Sequence, residues 1–222
     1  MRRHDLVYLR PHAPFHFHCA ATDTALAQRV SAWIQAKRPL VVARQGGNAH
    51  ELLLGLTLPA DEGRRRIGCL VAHEDVLQVA PPLCLTRCLP HLEAALAAPL
   101  AELAARLENQ GVQIGVYGSL AWEVLSGERY RHAASDIDVI CDVTSLEQTE
   151  VTLAALGETA THLACGLDGE IRFPDGRATA WKELRSARSA TNAQVLVKGP
   201  AEVAMVPVAS LLAQFEEMPA HA

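Results

Sequence analysis

The sequence predicts an α+β fold in two parts, residues 1–90 and 91–222, and three observations predict it. Short apolar runs with strand-like alternation recur through the first part around one stretch of helical spacing. Pro81, Pro82 and Pro90 then interrupt regular structure and mark a linker. Beyond them, strand patterns and helix patterns follow one another to the end of the chain.

The elements follow in order. Residues 2–18 carry short apolar pieces and then HAPFHFH. His12, His16, His18 and Cys19 lie close in sequence, but their spacing matches no structural zinc pattern, so they read as a strand edge. In residues 23–36, Ala25, Leu26, Val30, Trp33 and Ile34 share one helical face, with Thr22 or Asp23 as cap. RPLVVARQ is a strand, Gly46-Gly47-Asn48 a turn, and LLLGLTLP and IGCLV two further strands. Arg64, Arg65 and Arg66 form a basic run, read as a solvated strand end or as a contact for a phosphate or an acidic protein.

In the second part, residues 92–109 form an Ala/Leu-rich helix with Leu92, Leu96, Leu100, Leu103 and Leu107 on one stripe, closed by Gly111. Residues 112–117 are a strand, 119–125 a short helix and 137–141 a strand. Residues 146–156 are a helix stopped by Gly157. Residues 163–173 and 178–181 pair across the turn at Asp175-Gly176. Residues 182–189 are helical, 195–198 a strand, and 210–215 a closing helix.

The net charge of −5 argues against a nucleic-acid coat. The charged opening MRRHDLVYLRPH holds no apolar signal segment, and no apolar run has the length of a membrane span. Six cysteines without a CxxC pair read as reduced thiols, which implies a cytoplasmic location.

The chemistry concentrates in GSLAWEVLSGERYRHAASDID, residues 118–138. Gly118 lets backbone approach a ligand. The free amides of the following helix can bind phosphate, and Ser119 adds a hydroxyl. Asp136 and Asp138 sit two apart, so on a strand both face one way and tolerate their repulsion when a divalent cation lies between them. A third carboxylate comes from LDGEIRF: Asp168 and Glu170 share a face, and Glu170, deeper in the strand, is preferred. Lys182 and Lys198 can neutralise a triphosphate as point charges. Arg129, Arg131 and Ser135 lie in the loop between GS and DxD, where phosphates would sit; Trp122 reads as packing.

GS followed by SDIDV resembles the nucleotidyltransferase superfamily of the polymerase-β type. With RHDLVYL, RPLVVARQ, RRRIGCLV, GSLAWEVLSG, LDGEIRF, AWKEL and VLVK, the chain resembles the phosphoribosyl-dephospho-CoA transferases of malonate decarboxylase from His4 to Lys198. The resemblance implies a polymerase-β-like domain with a mixed sheet flanked by helices, after a small N-terminal α/β domain. It implies transfer of a prosthetic group from 2′-(5″-triphosphoribosyl)-3′-dephospho-CoA to a serine of the apo acyl-carrier subunit, with release of pyrophosphate. Mg2+ would be held by Asp136 and Asp138, with Glu170 or Asp168 as the third ligand, and Gly118 and Ser119 would bind the triphosphate. One carboxylate, or the metal, would help deprotonate the serine. Compared with the superfamily, the segment from Gly127 to Ala134 is an insert, read as a substrate-shaping loop. The first part is assigned recognition of the CoA moiety or the carrier by elimination, with Arg64, Arg65 and Arg66 facing an acidic carrier. No nucleic acid or membrane partner is implied. Another Mg2+-dependent nucleotidyltransferase, or a non-catalytic nucleotide-binding regulatory module, would share GS and DxD.

Overall fold

The computed structural model describes residues 1–18, 23–46, 50–132, 134–190 and 192–215. The first part contains β1 (Leu6–Leu9), β2 (His16–Phe17), α1 (Thr24–Gln35), β3 (Leu40–Val42), β4 (Glu51–Thr57), β5 (Arg66–Ala72) and β6 (Val76–Ala80). Among the described residues these strands form one six-stranded sheet, ordered β2-β5-β4-β3-β1-β6, with every pairing antiparallel. It is therefore an antiparallel sheet with one long helix rather than the expected α/β unit. The alternation of LLLGLTL places Leu52, Leu54 and Leu56 in the core. Asp23 caps α1 by accepting from the amides of Ala25 and Leu26. Leu26, Val30, Trp33 and Ile34 are the buried face of that helix.

The second part contains β7 (Leu83–Cys84), α2 (Leu85–Cys88), α3 (Ala94–Glu108), β8 (Gln113–Tyr117), α4 (Gly118–Ser126), β9 (Ile137–Asp142) and α5 (Leu146–His162). It continues with β10 (Leu167–Arg172), β11 (Ala178–Ala180), α6 (Trp181–Ala187), β12 (Gln194–Lys198), β13 (Val203–Pro207) and α7 (Val208–Leu212). Its seven described strands run β13-β12-β11-β10-β9-β8-β7. Only β9 and β10 pair in parallel, so the sheet is mixed and flanked by helices. The first sheet ends with β6 and the second begins with β7, so the chain passes between them at Pro81-Pro82, upstream of residue 90.

Three regions depart from expectation. The stretch expected as a linker, residues 73–90, forms β6, β7 and α2 instead. Helix α5 runs through Gly157 to His162. A Cβ at Gly157 would lie 2.1 Å from Nη1 of Arg185 on α6, so this glycine leaves room for that guanidinium instead of ending the helix. The strand β13 has mostly exposed residues, and no buried stripe marked it in the sequence.

The two parts interlock. Trp122 of α4 and Tyr130 of the following loop belong to the core of the first part, where Trp122 meets Trp33 edge-on at 5.6 Å. Tyr130 donates to the Thr57 carbonyl at 3.0 Å, and Glu128 accepts from Arg29 and Arg38. The loop expected to shape substrate is thus, over 128–130, a strap onto the first part. Among the described residues no helix is long and apolar enough to cross a membrane. Cys69, Cys84, Cys88, Cys141 and Cys165 are free thiols; Cys19, Thr22, Gly47 and Asn48 lie outside the described residues.

Candidate active site

The sequence brings Gly118 and the carboxylates together through sheet register. Parallel pairing of β9 with β10 sets Asp138 beside Asp168, and antiparallel pairing with β8 sets Asp138 opposite Tyr117. In-register neighbours on adjacent strands project from the same face. Gly118 follows Tyr117 and starts α4 with φ +70°. A Cβ there would lie 2.2 Å from Oδ2 of Asp138, so only glycine leaves room for that carboxylate. Asp136 precedes β9 and is exposed; a Cβ at Gly166 would lie 2.2 Å from its Oδ1.

Burial pushes the Asp138 carboxyl up to about 6, with the negative charges of Asp168 and Asp136 adding to it and the Arg66 guanidinium opposing. Asp168 accepts from Lys182 Nζ at 2.5 Å, and that ammonium also lies 5.7 Å from the Trp181 ring centroid. Among the described residues no three His, Cys, Asp or Glu side chains form a ready-made metal cluster. The donor chemistry nevertheless fits a hard divalent cation at Asp138: hard oxygen donors that repel each other converge there, and glycines clear space around Asp136 and Asp138.

Glu170 is differently placed. It is 3% exposed and accepts from Arg3 Nη1 at 3.2 Å, from Arg3 Nη2 at 3.4 Å and from Lys198 Nζ at 2.8 Å. His4 Nε2 stands 3.4 Å from its Oε2. Burial works against its charge, but His4, Arg3 and Lys198 outweigh that cost and hold the carboxyl well below the usual range. Both oxygens are engaged by cations or imidazole, although Glu170 lines the same hollow as Asp138 and Asp168.

These side chains border a cleft of about 700 Å³ between the two parts, lined among others by Arg3, His4, Arg66, Trp122, Asp138 and Lys198. A smaller hollow of about 190 Å³ adjoins it and holds Asp138, Asp168, Glu170, Lys182 and Lys198. Arg129 and Arg131 do not reach this cleft. They line a separate one with Arg29 and Arg64, and Arg131 pairs with Glu123. Ser135 closes a turn by accepting from the His132 amide at 2.9 Å. Ser119 is the second residue of α4, half-buried beside Gly118. Of the histidine group, His18 lines the large cleft, whereas His12 meets Gln35 elsewhere.

Two cleft-lining residues were not legible as such, Arg3 and His4, whereas Arg66 belongs to the basic run whose phosphate-contact reading places it here. Arg3 and His4 reach the site across 167 and 166 residues of chain, and only tertiary structure brings them to Glu170. His4 lies in the charged opening stretch, and its φ is +70°.

The kinked glycine at the start of α4 thus faces the paired carboxylates Asp138 and Asp168 beside a cleft lined by Arg3, Arg66 and Lys198. Similarity to known proteins gives the class, a transferase. The profile described as "Phosphoribosyl-dephospho-CoA transferase MdcG N-terminal domain" matches residues 2–82, and the corresponding C-terminal domain profile matches residues 83–209. The chain is 33% identical to the phosphoribosyl-dephospho-CoA transferase of Xanthomonas axonopodis pv. citri over 94% of this chain and 95% of that protein. It is 30% identical to that of Bradyrhizobium diazoefficiens over 92% and 89%. The chain belongs to the phosphoribosyl-dephospho-CoA transferase family. No solved structure matches it.

Proposed function

We propose that this enzyme transfers 2′-(5″-phosphoribosyl)-3′-dephospho-CoA from its triphosphate precursor to a serine of the apo acyl-carrier subunit of malonate decarboxylase. The serine oxygen forms a bond to the α-phosphorus, the α–β bridging bond breaks, and pyrophosphate leaves with that bridging oxygen. The serine proton passes to a carboxylate oxygen of the Asp138–Asp168 pair. The observation that carries this reading is the pairing of Asp138 with Asp168 opposite the Gly118 kink, at the floor of the cation-lined cleft.

Asp138 and Asp168, with Asp136, are the residues that would hold Mg2+, and Glu170 is left out because its oxygens are engaged. The ion, when bound, supplies charge neutralisation for the phosphates and the leaving pyrophosphate. Lys198 and Lys182 flank the Asp138–Asp168 pair and offset the remaining phosphate charge. The amides at the start of α4, from Gly118 and Ser119, point phosphate oxygens toward Asp138. Exposed Arg64 and Arg65 suit an acidic carrier, whereas Arg66 belongs to the catalytic cleft. Incubating the enzyme with Mg2+, the triphosphate precursor and apo carrier tests the reading. Gain of the phosphoribosyl-dephospho-CoA mass on the carrier, together with pyrophosphate, is the expected product; an unmodified carrier refutes it.

A further inference from the structure

Residues 2–5 carry a polar cluster that the transferase reading leaves without a task. Arg172 is fully buried and donates to the Arg3 carbonyl at 2.8 Å, to Asp5 at 3.2 Å and to Asp142 at 2.6 and 2.8 Å. Asp5 accepts from the Arg2 amide at 2.7 Å, which closes a turn around Arg3 and His4. His4 adopts φ +70° and stacks on Tyr117 with ring centroids 4.0 Å apart. Two residues before Arg172 on the same strand, Glu170 takes both guanidinium nitrogens of Arg3 and the ammonium of Lys198.

Burying these charges is costly, and apolar replacements of such networks are often no less stable. A left-handed histidine adds backbone strain, which persists where surrounding structure enforces it and clusters at functional sites. The arithmetic of charge gives the network a purpose. Arg3 and Lys198 bring two permanent cations against one carboxylate, so the cluster keeps a surplus positive charge where Arg3, His4 and Lys198 line the large cleft. Lys198 also borders the hollow that holds Asp138 and Asp168.

We propose that Arg3 and Lys198 form an anion seat for the substrate's polyphosphate, and that Glu170 is the positioning residue that holds them there and not a ligand of the metal. The first part of the chain therefore completes the catalytic site with its own N-terminal segment. The proposal deepens the transferase reading and rests on it for the identity of the substrate, but the seat can be measured without any transfer.

Binding of inorganic tripolyphosphate by calorimetry in EDTA reads the seat with neither metal nor carrier present. Arg3→Met is expected to weaken binding at least tenfold and Lys198→Met at least fivefold, while Arg106→Ala, at an exposed pair with Glu158, leaves it unchanged. Should Arg3→Met not fold, Lys198→Met decides the same question, because its side chain is partly exposed. Wild-type affinity in the folded cation variants, or no binding by the wild type, overturns the seat. A Mg2+ titration of thermal stability reads the role of Glu170. Glu170→Gln is expected to keep the half-saturating Mg2+ within threefold of wild type, and Asp168→Asn to raise it at least tenfold. A tenfold rise in Glu170→Gln overturns the positioning role. Failure of carrier modification with an intact tripolyphosphate response would refute the substrate assignment alone.

Discussion

Gly118→Ala separates catalytic geometry from folding. Its Cβ would lie 2.2 Å from Asp138 Oδ2 and 3.0 Å from the Asp138 carboxyl carbon. Ordinary contacts at that carbon begin near 3.4 Å, so the carboxylate must retreat by about 1 Å or rotate away. Misplacement of a reacting group by ~1 Å can cost about 10²-fold in rate. The φ of +70° adds a left-handed penalty of about 1–2 kcal/mol for any non-glycine residue. For a chain of this size that corresponds to a fall in Tm of roughly 2–8 °C. The assay pairs initial rates of carrier modification with a thermal melt of the same sample. A loss of about 10²-fold is expected at a temperature where the variant is still folded. A folded variant with activity within threefold of wild type would refute the link between the glycine kink and Asp138.

Asp138→Asn carries a pH signature. Its folded-state carboxyl stands near 6 against an ordinary 3.8, so the folded state is penalised as pH rises through that window and is unpenalised below it. The full penalty is about 3 kcal/mol, and about half after solvent screening. The variant should therefore melt roughly 3–6 °C above wild type in EDTA at pH 7.5 and equal to it near pH 4, while losing activity; equal melting at both pH values contradicts the repulsion. Arg172→Met leaves Asp5 and Asp142 without their buried partner and should cost about 3–5 kcal/mol, read as a fall of roughly 6–20 °C in Tm; a fall under about 2 °C refutes it. Arg129→Ala should leave the KM for the triphosphate precursor within twofold, because Arg129 lines the other cleft; a tenfold rise would return that loop to the substrate.

Local signals were legible where one element carries them. The face of α1 formed by Leu26, Val30, Trp33 and Ile34, the Gly118 kink and the glycine turn at residue 176 follow from spacing and backbone chemistry. Which of Asp168 and Glu170 lies directly beside Asp138 is a matter of register. Depth in the strand favoured Glu170, but parallel pairing puts Asp168 beside Asp138 and leaves Glu170 two residues further along, opposite Ile140. Depth also delivered Glu170 to Arg3 and His4, residues a linear reading cannot bring near it. Proximity in sequence misplaced Arg129 and Arg131 for the same reason. Tyr130 and Glu128 dock their loop on Thr57, Arg29 and Arg38, and so carry those arginines away from the carboxylates. At Gly157 the residue type predicts a helix stop, while the side chain that lies against it, Arg185, comes from another helix.

The most direct test is the intact mass of apo acyl-carrier subunit after incubation with Mg2+, the triphosphoribosyl-dephospho-CoA precursor and either wild-type enzyme or Asp138→Asn. Wild type should add one phosphoribosyl-dephospho-CoA group to the carrier serine with one pyrophosphate released, and Asp138→Asn should leave the carrier at its starting mass. A carrier left unmodified by wild-type enzyme, or modified equally by Asp138→Asn, would contradict the account.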